Sequence, residues 1–281
     1  MKTVIIGCCL VFSTQAATAG DLGTVIGLSY GAFAAEQFSD GYYRSRDNSF
    51  SRIIAEGSIG KQTGSGFGWQ ADALYETAAG SAGPEYNIYG GNIHGNYQLG
   101  AFRLGGFVGA GATNNTYLNY RSSNFWYGGE VAADMGNFTI VAQAGMASAN
   151  FGDASLDYTG KSFYQLEARY FIGDNIMVAA RYGEAVSRFQ NRDMGVTQYG
   201  IDGTIRLGQS RFYATAGYEQ NYTNDNLNNA YSGRGSDQTY KIGISMMFGG
   251  DLRETLRERN PMLSPTGLVL LAPLNGGVWS D

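Results

Sequence analysis

Cysteine is almost missing from this chain: Cys8 and Cys9 are the only two, and both lie near the amino end. The rest has no thiol for a disulfide or a thiolate metal site. Histidine is scarcer still. With His94 alone, the usual mixed ligand sets for zinc cannot be assembled, and no metal is expected. Charged residues make up 15% of the chain, against roughly 25% in ordinary soluble proteins. The net charge is −5 and basic residues form no cluster. That excludes nucleic acid as a partner, because such binding needs Lys and Arg to neutralise phosphates. Long apolar runs are also absent after the amino end, so there is no ~18-residue stretch to serve as a membrane-spanning helix. The four prolines are Pro84, Pro261, Pro265 and Pro273, so every residue from Glu85 to Asn260 keeps its backbone donor. An uninterrupted hydrogen-bonded sheet has that requirement. The glycine-rich stretch Gly106–Gly111 is followed by no amphipathic helix, so it is no nucleotide motif and no cofactor is expected.

What the chain does have is glycine (42) and aromatics, with 20 Tyr and 15 Phe. Lys2, the apolar stretch Val4–Phe12 and the small-residue site Ala17-Thr18-Ala19 read as a secretory signal peptide over 1–19. A rival lipoprotein reading at Ile6-Gly7-Cys8 leaves too few residues before the cysteine for an ordinary apolar signal core.

From there to Gly249 the pattern has period two. Tyr240, Ile242, Ile244, Met246 and Phe248 alternate with Lys241, Gly243 and Ser245. Phe212, Ala214, Ala216 and Tyr218 oppose Arg211, Tyr213, Thr215 and Glu219. Tyr164, Leu166, Ala168 and Tyr170 oppose Gln165, Glu167 and Arg169, and Trp69, Ala71, Ala73 and Tyr75 oppose Gln70, Asp72 and Glu76. Alternation alone fits a soluble sandwich as well as a membrane barrel; two further features separate them. Tight turns at Thr63–Gly66, Gly100-Ala101, Gly136-Asn137, Gly173–Asn175 and Gly208–Ser210 alternate with longer polar stretches, which is the outer-membrane arrangement. Outward aromatics also recur at strand ends, as in the pairs Tyr240/Phe248, Tyr89/Tyr97 and Phe67/Tyr75. Their spacing approximates two girdles around an apolar band of ~25 Å. The expectation is an all-β, closed antiparallel transmembrane β-barrel over 20–249, with about twelve strands (ten to fourteen). A periplasmic C-terminal tail with a short helix follows over 250–281. Arg181 and Glu184 break the alternation of their strand and predict a bulge or an early strand end.

The signal peptide, the alternating strands and the segment Tyr240-Lys-Ile-Gly-Ile-Ser-Met-Met-Phe248 resemble the small bacterial outer-membrane β-barrel (porin-like) superfamily. That resemblance implies a Gram-negative outer-membrane location. It also implies contact with outer-membrane lipid and lipopolysaccharide, and an assembly signal at Tyr240 and Phe248 read by the barrel-assembly machinery. One departure is plain, since Phe248 is followed by more chain.

The inward face carries charges of both signs: Arg52, Glu56, Asp72, Glu76, Arg103, Glu130, Asp134, Glu167, Arg169, Arg181, Asp202, Arg206, Arg211, Glu219 and Lys241, with His94 among them. Such a wall reads as an aqueous pore for small polar solutes, or as a lumen closed by paired charges. Gly105, Gly109, Gly200 and Gly243 leave room and favour the pore. The alternatives are a structural or surface-interaction barrel and, further off, a lipid hydrolase built on His94. No catalytic residue is assigned. Asn221–Asp237 is rich enough in Asn and Asp for a Ca²⁺ loop but lacks regular ligand spacing. In the tail, Asp251 is placed to cap a helix over Leu252–Arg259. The segment Leu268–Leu274 reads as part of a free extension, a dock for a periplasmic partner, or a plug for the barrel mouth.

Overall fold

The computed structural model describes residues 22–39, 48–80, 86–115, 120–151, 158–189, 192–225, 233–259, 261–265 and 267–270. The expected signal peptide, Pro84 and the segment 271–281 lie outside the described residues. Twelve strands form one closed antiparallel barrel. They are β1 (Gly23–Ser39), β2 (Asn48–Gln62), β3 (Phe67–Gly80), β4 (Tyr86–Leu99), β5 (Phe102–Asn115) and β6 (Tyr120–Met135). The second half comprises β7 (Phe138–Phe151), β8 (Tyr158–Ile172), β9 (Ile176–Phe189), β10 (Arg192–Arg206), β11 (Phe212–Asp225) and β12 (Gly233–Phe248). Each strand pairs with its neighbours in sequence, and β1 closes on β12 in the register Thr24↔Phe248. Closure leaves no unpaired edge, which is what a sheet needs in lipid.

The expected turns are where the chain reverses. At Gly136-Asn137 two residues join β6 to β7, and Gly136 takes the left-handed φ of 63° that only glycine adopts without strain. All five short turns and both barrel termini lie at one end. The strands run further into the opposite connections than the sequence suggests: β9 and β10 are separated by residues 190–191 alone. Much of the expected Ca²⁺ loop is likewise strand, in β11 and β12, and its centre at 226–232 lies outside the described residues.

The outer face is apolar and uncovered, with Ile93 and Ile242 each 66% exposed. Tyrosines ring it towards the long-connection end: Tyr164, Tyr182, Tyr199 and Tyr222 on β8 to β11 form successive ring contacts at 5.8, 5.1 and 6.0 Å. Phe67, Phe102, Phe138 and Phe212 are exposed towards the other end. No helix among the described residues is long and apolar enough to cross a membrane.

Strand β9 runs unbroken, with neither the bulge nor the early end expected of it. Arg181 points inward to the carboxylates of Glu167 and Asp202. Glu184 points outward, where its carboxylate accepts from Tyr164 (2.5 Å) and Tyr182 (3.2 Å). The alternation holds because each charge has polar partners on its own side. In the β8–β9 pair a register shift falls on the partner strand, between Gly160 and Ser162 of β8.

Candidate functional site

The barrel encloses a lumen, and the alternation delivers its side chains. Charged clusters line it, and three hold arginines among the described residues. In the first, Arg52 reaches Glu76 on the neighbouring β3 (3.2 Å) and crosses β1 and β12 to Glu219 on β11 (3.1 Å). In the second, Glu167 receives Arg169 (2.6 Å) and Arg181 (3.3 Å), while Asp202 receives Arg181 and Lys241 (2.9 Å). In the third, Asp134 takes Arg103 (2.6 Å) and Arg257 (3.0 Å) at the short-turn end.

His94 lies between two carboxylates, with Nε2 2.8 Å from Asp72 and Nδ1 2.8 Å from Glu130. Its side chain is fully buried. Both ring nitrogens face carboxylates rather than a serine hydroxyl.

Two residues sit differently from expectation. Arg211 is not inward: it precedes β11 and stacks its guanidinium over the outward Phe248 ring at 5.4 Å. Arg206 belongs to the short-turn rim, where it donates to the Ser210 carbonyl at 2.7 Å and to Asn175 at 3.2 Å. Tyr240 and Phe248 are both on the outer side of β12, Tyr240 being exposed.

Lumen glycines do make room, but side chains take it. A Cβ on Gly200 would stand 2.9 Å from Arg181 Cγ, and one on Gly105 would stand 2.9 Å from Glu130 Oε1. Gly109 similarly faces Trp126 and Asn92.

The tail occupies much of what remains. Gly249, at φ 95°, turns the chain off β12. Asp251 accepts from the Glu254 amide at 2.8 Å, capping a short π-helical segment over Glu254–Arg259. Leu252 packs among Phe171, Met177, Tyr213 and Met247, with Leu256 beside them. Arg169 donates to the carbonyls of Leu256 (2.8 Å) and Pro261 (3.0 Å). Gln143 donates to the Leu263 carbonyl at 2.9 Å, and Asn92 to the Ser264 hydroxyl at 2.8 Å. Leu268, Val269 and Leu270 then enter a cluster with Ile88, Phe107, Trp126, Phe163 and Val196. Over its described residues the segment expected as a periplasmic tail is therefore inside the barrel. Leu271–Leu274 fall outside the described residues.

These apolar wall residues are the part of the site that reading the sequence missed. The signal was present. Phe163 and Trp126 lie on the inward parity that Tyr164, Phe125 and Tyr127 define by facing out. Apolar groups on a wet wall call for a guest.

Beside the tail, a cavity of about 320 Å³ remains against β1 to β3 and β8 to β12. Arg52, Glu56, Arg181, Asp202, Glu219 and Lys241 are on its wall, and Leu256, Met262 and Leu268 of the tail close its other side. Glu56 is exposed there and joins no ion pair among the described residues. No group of acidic, His or Cys side chains among the described residues is arranged to hold a metal.

The barrel is similar in fold to an outer membrane channel from Pseudomonas putida F1, with a TM-score of 0.52 and 13% identity over 80% of this chain and 96% of that one. More distant likenesses include a deletion mutant of the P. putida monoaromatic hydrocarbon channel TodX, at a TM-score of 0.46 and 10% identity over 82% of this chain and 90% of that one. Another is the translocator domain of the autotransporter NalP from Neisseria meningitidis, at 0.45 and 11% over 80% and 88%. No family model and no curated protein matches the sequence. The likeness to the first of these structures is one of fold, that of an outer-membrane β-barrel.

Proposed function

We propose that this chain is an outer-membrane channel for small polar solutes, its lumen narrowed by its own C-terminal segment. The observation that carries this reading is the charged cavity beside the tail, about 320 Å³ in volume. Its wall offers carboxylate, guanidinium and ammonium groups, which suit hydrated polar solutes and repel apolar ones. The exposed apolar belt and its aromatic rims fit lipid on the outside. The orientation that follows has the short turns in the periplasm and the long connections facing lipopolysaccharide and the exterior. Tyr240 and Phe248, outward on the closing strand, would serve the barrel-assembly machinery as its recognition signal.

The test compares the mature chain with one ending at Gly250, both refolded and recorded in planar bilayers. Small, stable steps are expected from the first and steps several times larger from the second. If both are silent although inserted, the channel reading fails. If both conduct alike, the tail does not narrow the path.

One observation favours a second reading. The tail is hydrogen-bonded and packed along its described length, as in a permanently closed barrel that acts through its external loops. A silent full chain beside a conducting truncated one would select that reading.

A further inference from the structure

We propose that the lumen is a binding site for peptide main chain, and that Pro261–Leu270 occupies it as a tethered stand-in. The ligand class is a short, uncharged peptide with apolar residues at its carboxyl end.

The wall addresses what every peptide has. Arg169 of β8 donates to the Pro261 carbonyl at 3.0 Å, and Gln70 of β3 pairs with both the amide and the carbonyl of Met262. Gln143 of β7 donates to the Leu263 carbonyl at 2.9 Å, and Thr113 of β5 to the Leu270 carbonyl at 3.2 Å. These four side chains are buried and come from four different strands. Ser264 adds a side-chain contact, accepting from Asn92. Main-chain groups recur in any sequence, so hydrogen bonds to them supply affinity while side-chain pockets supply selectivity. The pocket here is formed by Ile88, Phe107, Trp126, Phe163 and Val196, and it receives Leu268, Val269 and Leu270. Pro261–Leu270 carries no charged residue. It has no regular structure over Pro261–Pro265 and then makes a single turn, in which the Val269 amide donates to the Pro265 carbonyl at 3.0 Å.

The occupant is no part of the wall. The barrel closes from β1 to β12 without it. The seat also opens sideways. Gln70 and Arg169 of the wall, with Met262, Leu263 and Leu268 of the tail, border the cavity beside it. A second peptide entering that space meets the same donors as the tail gives them up.

The test starts from the full chain. A protease recognition sequence is inserted between Gly249 and the exposed Gly250. The protein is refolded whole in lipid and then cut, which turns the tail into an untethered peptide. Uptake of a labelled peptide with the sequence of Pro261–Leu270 is read by fluorescence anisotropy. That readout needs no conduction, so a silent barrel that binds the peptide sinks the channel reading and keeps this one. The cut protein is expected to take the peptide up and the uncut chain, whose site is filled, to take up little. An unlabelled peptide carrying Met262→Ala and Ser264→Ala should compete nearly as well as the original. One N-methylated at Met262 should compete about tenfold less well, because Gln70 loses the amide it accepts from. The proposal is overturned if a cut barrel that has shed its tail, with unchanged circular dichroism, takes up no peptide. Equal uptake by cut and uncut protein, or equal competition by the N-methylated peptide, overturns it too. A severed tail that survives washing is a peptide held without a tether; Gln70→Leu must then release it, and retention in Gln70→Leu overturns the main-chain reading.

Discussion

Gln70 holds the backbone of Met262 from both sides: its side-chain amide donates to the Met262 carbonyl at 3.0 Å and accepts from the Met262 amide at 3.1 Å. A side chain of β3 thus replaces a missing strand neighbour for a segment that has none. Replacing Gln70 with Leu leaves two buried backbone groups unpaired, at about 1–3 kcal/mol each. The barrel ladder is untouched. Single-channel traces of Gln70→Leu should show excursions to the larger steps of the tail-less chain; traces like those of the unmodified protein would show that this clasp does not hold the tail.

A steric route tests the same relationship without removing a hydrogen bond. A Cβ on Gly183 would lie 2.9 Å from Leu268 Cδ2. Gly183→Val is therefore expected to displace Leu268 and speed proteolysis of the tail, while the far-ultraviolet circular dichroism of the barrel stays the same. A tail cleaved no faster than in the unmodified chain would mean that the segment adapts in place.

Along the cavity, Glu56, Asp72, Glu76, Glu167, Asp202 and Glu219 outnumber Arg52, Arg169, Arg181 and Lys241. Excess carboxylate raises the local cation concentration. Reversal potentials in a salt gradient should show cation preference in the full chain, reduced in Glu56→Gln and reduced further in Glu56→Lys. Identical reversal potentials in all three would place the ion path elsewhere.

His94 separates the buried carboxylates of Asp72 and Glu130. His94→Ala removes the group both of them face, and leaving buried charges uncompensated costs roughly 3–5 kcal/mol. A lower urea midpoint for barrel unfolding in lipid vesicles is expected. An unchanged midpoint would mean that water or the neighbouring Gln143, 2.7 Å from Glu130, compensates fully.

Arg181 and Glu184 show where pattern reading stops. Both violate the alternation as it is written in polarity, yet the strand is regular because Arg181 meets Glu167 and Asp202 while Glu184 meets two tyrosine hydroxyls. Polarity is a property of one residue; satisfaction is a property of its neighbours. Arg211 teaches the converse. Its parity says inward, but it sits before the strand begins, where parity no longer governs direction.

The sequence by itself determined the barrel. A pleat of period two converts Tyr240, Ile242 and Ile244 into one face and Lys241, Gly243 and Ser245 into the other, and glycine turns such as Gly136-Asn137 set the hairpins. These are local properties, readable a few residues at a time. Only the tertiary structure decided what fills the lumen. Ile88, Phe107, Trp126, Phe163 and Val196 come from five strands and line one stretch of the lumen only because the barrel closes. Leu268–Leu270 find their place in that shared pocket, and no short stretch of sequence contains it.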